Sequence, residues 1–240
     1  MRALSNPRNP LAALFVTVCL LAPVLLSTGY ATPLAFLVLG LINLRILGGV
    51  RYPDYFKTLS VLSLASVGLF VLNVLAPAEG VNGPARGAAV FLRSVSLISL
   101  SMGFIFAVDP YDLVRALMVQ LGLAPRVGFA LFAGWNTIPL LRRDLGIIEK
   151  AQALRYGTRR RRFRDRTHTA TALLAGAVRH GERVALSMAA RGADKPGPRT
   201  FLKDSPWTRG DTLYCAAGFL AAALTTALIL SLGLYTFDLG

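Results

Sequence analysis

The chain has 240 residues, of which 54% are hydrophobic and 16% are charged, and its mean hydropathy is positive at +0.55. This composition excludes an ordinary soluble domain of the same size and favours an integral membrane protein. The formal net charge of +14 is large, and the basic residues behind it are gathered in a few segments.

Five apolar runs predict membrane-spanning helices. A helix needs about 20 residues to cross about 30 Å of hydrocarbon, and each run approaches or exceeds that length. In chain order the runs are residues 11–27, 33–48, 59–76, 88–108 and 212–234.

The first two runs leave alternatives open. The second run is the shortest and contains Asn43, so three interpretations stay open. The helix crosses a thinned bilayer, continues beyond the charged end of the run, or re-enters the membrane. The first run follows Arg2 and Arg8 and precedes Gly29-Tyr30-Ala31, which is also the pattern of a cleavable signal peptide. We favour a retained span, because the apolar stretch exceeds the usual signal core of ~7 to 15 residues and another run follows almost at once.

The positions of the basic residues predict the orientation, because Lys and Arg are retained on the cytoplasmic side. Nineteen of the 26 basic residues lie between the fourth and fifth runs, and others precede the first run or separate the second from the third. The alternate loops carry only Arg86. We therefore expect a cytoplasmic N-terminus and an external C-terminus. Arg93 should extend its guanidinium to the outer interface, and a functional charge is the alternative.

Residues that carry chemistry are few. Cys19 and Cys215 both fall in predicted spans, so no disulfide or metal framework is indicated. His168 and His180 lack any metal-binding or phosphate-loop motif and are expected to be solvated. The twelve acids are scattered, with none inside a span, which disfavours a membrane enzyme acting on a phospholipid or prenyl substrate. We expect no catalytic residue, cofactor or bound metal.

Residues 109–211 form a long segment with helical periodicity in three pieces. The first begins at Asp109-Pro110, with aspartate as a predicted N-cap. The second covers residues 125–157, with a predicted kink at Pro139 and a stop at Gly157. The third covers residues 169–191 and is ended by Gly192.

Arg155 and Arg191 are each predicted near the end of one of these helices. A planar guanidinium at a helix end can pair with a carboxylate through two hydrogen bonds, and small neighbours allow a partner backbone to approach closely. The plainer interpretation is that both are ordinary terminal residues of helices in a basic loop.

Arg159, Arg160, Arg161 and Arg162 belong to a run of six arginines within eight residues. Contact with anionic lipid headgroups is the favoured interpretation, because basic residues collect beside the cytoplasmic membrane surface. An acidic partner surface is the second interpretation. Nucleic acid is disfavoured as a partner, because no aromatic platform or binding module accompanies the charge.

The chain resembles the transmembrane T component of energy-coupling factor transporters, the ABC-type importers of vitamins and transition-metal ions in prokaryotes. The resemblance covers nearly the whole chain. It rests on Asn6-Pro7-Arg8-Asn9-Pro10, Asp109-Pro110, Ile138-Pro139, Glu149-Lys150-Ala151-Gln152 and, above all, Met188-Ala189-Ala190-Arg191-Gly192.

The resemblance implies two coupling helices, each with an arginine that inserts into a groove of one of two ABC-type ATPase subunits. Its second signature corresponds to Ala190, Arg191 and Gly192. Its first corresponds to Leu154, Arg155 and Tyr156, with Gln152 upstream, and here the arginine is kept while both small neighbours are lost. The chain would be a non-catalytic subunit that links ATP hydrolysis to a separate substrate-binding membrane subunit, and that subunit would choose the substrate.

The expected fold is therefore an all-α integral membrane protein with about five transmembrane helices. A cytoplasmic helical region with two coupling helices would lie between the fourth and last spans. The expected domains are residues 1–108, 109–211 and 212–240, in the plasma membrane of a prokaryote. The alternative is a structural or regulatory membrane protein whose basic cytoplasmic loop recruits anionic lipid or an acidic partner.

Overall fold

The computed structural model describes residues 8–27, 29–48, 50–76, 82–156, 163–193 and 206–233. These segments are helical and contain no strand. In chain order the helices are α1 (Pro10–Leu26), α2 (Ala31–Leu47), α3 (Tyr52–Leu75), α4 (Gly83–Ala107), α5 (Pro110–Gln120), α6 (Pro125–Tyr156), α7 (Phe163–Ala190) and α8 (Arg209–Ser231). The predicted all-helical class is confirmed for this part of the chain.

The chain divides into two compact units, which we call the membrane unit and the α6–α7 unit. The membrane unit comprises residues 1–116 and 205–240 and holds α1 to α4, most of α5 and α8. The α6–α7 unit comprises residues 117–204 and holds the end of α5 together with α6 and α7.

Three helices of the membrane unit, α3, α4 and α8, are long and apolar enough to cross a membrane. Helices α1 and α2 are apolar as well, with 17 residues each. The three long helices begin several residues before the apolar runs in the sequence, because polar residues such as Asp54 and Asp211 lie in their first turns. The number of spans stays a prediction.

Helices α1 and α8 are parallel neighbours. Asn9 contacts Asp211 at their N-termini, and the Cys215 thiol lies 4.0 Å from the Ala12 carbonyl oxygen one turn later. Further along, Val16 lies so close to Gly218 that a Cβ there would meet its methyl groups at 2.7 Å. Because the residue numbers of these pairs increase together in both helices, α1 and α8 run in the same direction.

The directions of α2, α3 and α4 follow from their contacts. Gly40 and Leu44 of α2 lie against Leu100 and Gly103 of α4 in the same order, so α2 and α4 are parallel. In contrast, α3 and α4 are antiparallel, because Tyr55 pairs with Ser99 while Phe70 lies against Gly87.

Two further contacts link α1 and α8 to α2 and α4. Asn43, near the end of α2, accepts a hydrogen bond from Tyr214, near the start of α8. Arg93, in the first half of α4, bonds to Leu25 at the end of α1. Helices α1, α3 and α8 therefore run one way, and α2 and α4 run the other way.

Helix α5 begins with the predicted cap, since Asp109 Oδ1 accepts a hydrogen bond from the Tyr111 amide at 2.8 Å. The two long helices of the α6–α7 unit follow α5 in the chain. Helix α6 continues through Pro139 over 32 residues. Helix α7 begins at Phe163, six residues before the predicted start, because its first residues lack an apolar stripe yet include good helix formers such as arginine.

Candidate partner-docking site at the helix ends

Helix α7 ends in a Schellman motif that places Arg191 at the C-cap. The Gly192 amide donates to the Ala189 carbonyl and the Ala193 amide donates to the Met188 carbonyl, each at 2.9 Å. Gly192 has a φ of 77°, a left-handed conformation that favours glycine. The predicted stop at Gly192 is confirmed, and Arg191 lies one residue beyond the last helical turn in which it was expected.

The side chain of Arg191 is exposed at the tip of α7. The residues just before it, Ala189 and Ala190, are also exposed and small. No described carboxylate lies within ion-pair distance of its guanidinium, whereas Arg51 and Arg115 each pair with a nearby aspartate. Among the described residues, the guanidinium of Arg191 thus has no carboxylate partner, and it lies on a surface of small residues that a partner backbone can approach closely.

The end of α6 contains the second predicted arginine. Arg155 and Tyr156 form the last residues of the helix, and their side chains lie outside the described part of the structure. The neighbouring Leu154 is 89% exposed. Arg159, Arg160, Arg161 and Arg162 lie outside the described residues altogether.

Gln152 joins the two long helices. Its Nε2 donates a hydrogen bond to Thr169 Oγ1 at 2.7 Å, so the end of α6 contacts the beginning of α7. Arg155 follows this contact by less than one helical turn. At a rise of about 1.5 Å per residue, Arg191 lies roughly 33 Å further along α7 than Thr169. The two arginines therefore belong to two separate positions, and the structure does not bring them into one pocket.

Apolar side chains are exposed on α7. Leu173, Ala177, Val184 and Met188 are half-buried. In contrast, Leu174 is 65% exposed and Val178 is 61% exposed, and Leu186 adds a third exposed side chain. Exposed apolar patches on a protein surface mark contact sites for other proteins or membranes. The α6–α7 unit thus carries surface that its own residues do not cover.

In the membrane unit, a buried carboxylate links the N-terminus of α1 to the N-terminus of α8. Asp211 is 3% exposed and accepts hydrogen bonds from the Asn9 amide at 3.0 Å and the Thr208 amide at 2.9 Å. The Thr208 hydroxyl donates to the same carboxylate at 2.7 Å, and the Asn9 side chain caps α1 by accepting from the Leu11 amide at 3.0 Å. Because the N-terminus of a helix carries partial positive charge, one carboxylate here stabilises two adjacent parallel helices.

Sequence reasoning missed this cluster. The signal for one half was present, since Thr208-x-x-Asp211 before an apolar run is the pattern of a capping box. No local pattern identifies Asn9 as the partner from the other end of the chain. The same holds for Tyr214, whose hydroxyl bonds to Asn43 of α2 and whose ring lies 4.7 Å beneath the Arg8 guanidinium.

Arg93 has a structural role in the membrane unit. Its guanidinium donates to the carbonyl oxygen of Leu25, in the last turn of α1. The last carbonyl groups of a helix lack partners within the helix, and a cation there complements the negative end of the helix dipole. The half-buried Arg93 thus reaches the end of a neighbouring helix.

The described residues contain no group of three or more His, Cys, Asp or Glu side chains that could hold a metal ion. Cys19 and Cys215 are free and partly buried in α1 and α8. His168 is exposed on α7, and His180 is half-buried there.

The apolar helices, joined by buried polar contacts, define a multi-pass integral membrane protein. The chain belongs to the CbiQ family, described as cobalt transport protein, whose family model matches residues 1–199. No curated protein matches the chain. Members of this family function with ATPase and substrate-binding subunits in energy-coupling factor transporters. The resemblance inferred from the sequence is confirmed, and the chain is a transporter subunit.

Proposed function

We propose that the chain is the energy-coupling transmembrane subunit of an energy-coupling factor importer. The ends of α6 and α7 would each dock into one of two ABC-type ATPase subunits. The exposed Arg191 at the tip of α7 carries this proposal, because a guanidinium without a described carboxylate partner is suited to an acidic groove. Ala190 and Gly192 would let the groove close around the helix end.

The second dock would be the end of α6, with Arg155 as its cation. Leu154 is almost fully exposed, so it is available to contact the partner surface beside the arginine. Leu154 and Tyr156 stand where the family pattern has small residues, so we expect a looser fit here than at Arg191. The roughly 33 Å between the two positions along α7 supports one ATPase subunit at each.

Two long helices are suitable levers for transmitting ATPase closure. Helix α7 has 28 residues and would be about 42 Å long, and Gln152 ties its first turns to the end of α6. The exposed Leu174, Val178 and Leu186 offer apolar area to the substrate-binding membrane subunit. In this mechanism, movement of the docked ends repacks that surface and changes the position of the binding subunit in the bilayer.

The proposed topology has five spans, with the N-terminus in the cytoplasm of a prokaryotic cell. The alternating directions of α1 to α4 and the parallel pair α1 and α8 support it, because four crossings before α8 make α8 parallel to α1. Arg8, Arg45 and Arg209 would then lie at the cytoplasmic ends of helices, in agreement with the retention of basic residues on that side. Residues 109–211 would form the coupling region between the membrane domains 1–108 and 212–240.

The cargo proposed for the complete transporter is a transition-metal ion, and cobalt is favoured by the description of the family. The ion would be selected by the separate binding subunit. Anionic lipid headgroups at Arg159, Arg160, Arg161 and Arg162 would hold the coupling region beside the membrane.

The test is co-purification of the tagged full-length chain with its two ATPase subunits after expression together. We expect Arg191→Glu to abolish recovery of one ATPase subunit and Arg155→Glu to reduce recovery of the other. Arg183→Glu is the matched control, because Arg183 is an exposed arginine on the same helix but two turns away from its tip. It makes the same charge change and should leave recovery unchanged.

Equal effects of Arg191→Glu and Arg183→Glu would contradict docking by the helix tip and favour a diffuse electrostatic surface. Failure of the native chain to recover any ATPase subunit, with the membrane fold intact, would favour a structural protein that recruits anionic lipid or an acidic partner.

A further inference from the structure

The corner between α2 and α3 contains an arginine in cation–π contact with an exposed aromatic ring. The Arg45 guanidinium carbon lies 5.6 Å from the centroid of the Tyr52 ring. Arg45 is in the last turn of α2, and Tyr52 is the first residue of α3. This distance is within the range of a cation–π contact, and because Arg45 is exposed its N–H groups are open to a ligand.

The two arginines at this corner differ in their pairing. Arg51 Nε lies 3.3 Å from a carboxylate oxygen of Asp54, so its charge is already compensated. Among the described residues, no carboxylate lies within ion-pair distance of Arg45, whose recorded partner is the Tyr52 ring. Among the described residues, Arg45 is thus an exposed cation that contacts a ring and pairs with no carboxylate.

Exposed aromatic and apolar residues are also present at this corner. Tyr52 is 37% exposed, and Phe56, one turn further along the same face of α3, is 51% exposed. Ile46, next to Arg45, is exposed as well. Because α3 is long and apolar enough to span a membrane, its first turn lies at the boundary between hydrocarbon and water. Aromatic rings are enriched at that depth, where one edge contacts acyl chains and the other contacts headgroups.

We propose that Arg45 and Tyr52 bind the phosphate of an anionic phospholipid, with Phe56 and Ile46 against the first part of its acyl chains. The guanidinium would donate two hydrogen bonds to the phosphate oxygens, in the geometry that arginine favours with such groups. The net negative charge of the headgroup matches the uncompensated charge of Arg45 and distinguishes this lipid from a zwitterionic one. This proposal rests on the membrane fold and is independent of ATPase docking.

The experiment is native mass spectrometry of the full-length protein in detergent, titrated with phosphatidylglycerol or phosphatidylcholine. For the native protein we expect phosphatidylglycerol to bind more tightly than phosphatidylcholine. Arg45→Gln should raise the apparent Kd for phosphatidylglycerol roughly tenfold, which is the loss expected for one charge-assisted hydrogen-bonded contact. Arg51→Gln is the matched control, since it removes the same charge from the same corner and should change Kd less than about threefold.

Two further variants distinguish a specific site at Arg45 and Tyr52 from a dependence on net charge. Tyr52→Leu keeps every charge but removes the ring that orients Arg45, so it should weaken phosphatidylglycerol binding in the same direction as Arg45→Gln. Arg45→Lys should bind with intermediate affinity, because an ammonium group cannot donate two parallel hydrogen bonds. An excess of inorganic phosphate should not displace the lipid, since it lacks the acyl contacts.

Equal losses in Arg45→Gln and Arg51→Gln would overturn the proposal, because they would show a dependence on net charge alone. Unchanged binding in both Arg45→Gln and Tyr52→Leu would also overturn it. Displacement by inorganic phosphate would contradict a lipid site and indicate a site for free phosphate.

Discussion

The membrane unit and the α6–α7 unit differ in the placement of the polar groups that matter most to them. In the membrane unit, Asp211 and Asn43 are buried and receive hydrogen bonds from other helices. In the α6–α7 unit, Arg191 is exposed at the tip of α7, and a hydrogen bond from Gln152 to Thr169 links α6 to α7. The buried polar contacts hold the helices of the membrane unit together, whereas the proposed docking to partners depends on the exposed Arg191 of the α6–α7 unit.

Charge reversal at the tip of α7 should have the largest effect on transport and little effect on the fold. If the proposed docking holds, we expect Arg191→Glu to lower ATP-driven uptake of the proposed cobalt cargo at least about 100-fold, because it would place a carboxylate against the proposed acidic groove. Arg155→Glu should have a smaller effect, given the poorer match of its neighbours to the family pattern. The measurement is uptake by vesicles that contain the chain, both ATPase subunits and the binding subunit.

Arg183→Glu is the control for this uptake experiment and should remain within about twofold of the native rate, as expected for a solvated surface charge. Normal uptake by Arg191→Glu would remove the coupling role from the helix tip.

Removal of the Asp211 carboxylate should give the opposite result, a large effect on the stability of the membrane unit. Asp211→Ala leaves the buried Asn9 amide without its acceptor and removes the capping box of α8, so we expect a loss of about 2 to 3 kcal/mol in stability. The measurement is the unfolding midpoint in detergent. Asp54→Ala, which removes an exposed ion pair, should cost less than about 1 kcal/mol. Similar midpoints for the two variants would show that the buried carboxylate has no special role.

The close approach of α1 and α8 predicts a smaller effect. In Gly218→Ala the new methyl group would lie 2.7 Å from the buried Val16 side chain, so overpacking should cost about 1 to 2 kcal/mol. Gly68→Ala makes the same change on α3, where nothing lies within 4 Å, and should leave the thermal midpoint nearly unchanged. A lower midpoint in Gly68→Ala than in Gly218→Ala would contradict the described packing of α1 against α8.

Features set by neighbouring residues were predictable from the sequence. Asp109 caps α5 as expected, and the glycine after Arg191 ends α7 in a left-handed conformation. These signals depend on residues within one or two turns. The start of α7 was predicted too late, because the apolar stripe used to locate it begins after the helix does.

Features that join distant parts of the chain were not predictable. Asn9 meets Asp211 across 202 positions, and Asn43 meets Tyr214 across 171 positions. The length of an apolar run indicates that a helix spans the membrane, but lipid is as apolar as the neighbouring helix, so the run does not identify the helix that packs against it. The candidate docking arginines were identified from their local pattern and the family resemblance, and their approximate separation became measurable only once α7 was defined.

Docking of the α7 tip can be observed by placing a photoactivatable amino acid at position 190, beside Arg191, and irradiating the assembled transporter in membranes. We expect a crosslink to one ATPase subunit that depends on Arg191, and none from the same probe at Leu64, an exposed residue of α3. No crosslink to an ATPase subunit from position 190, in a transporter that still imports its cargo, would contradict docking at this helix end.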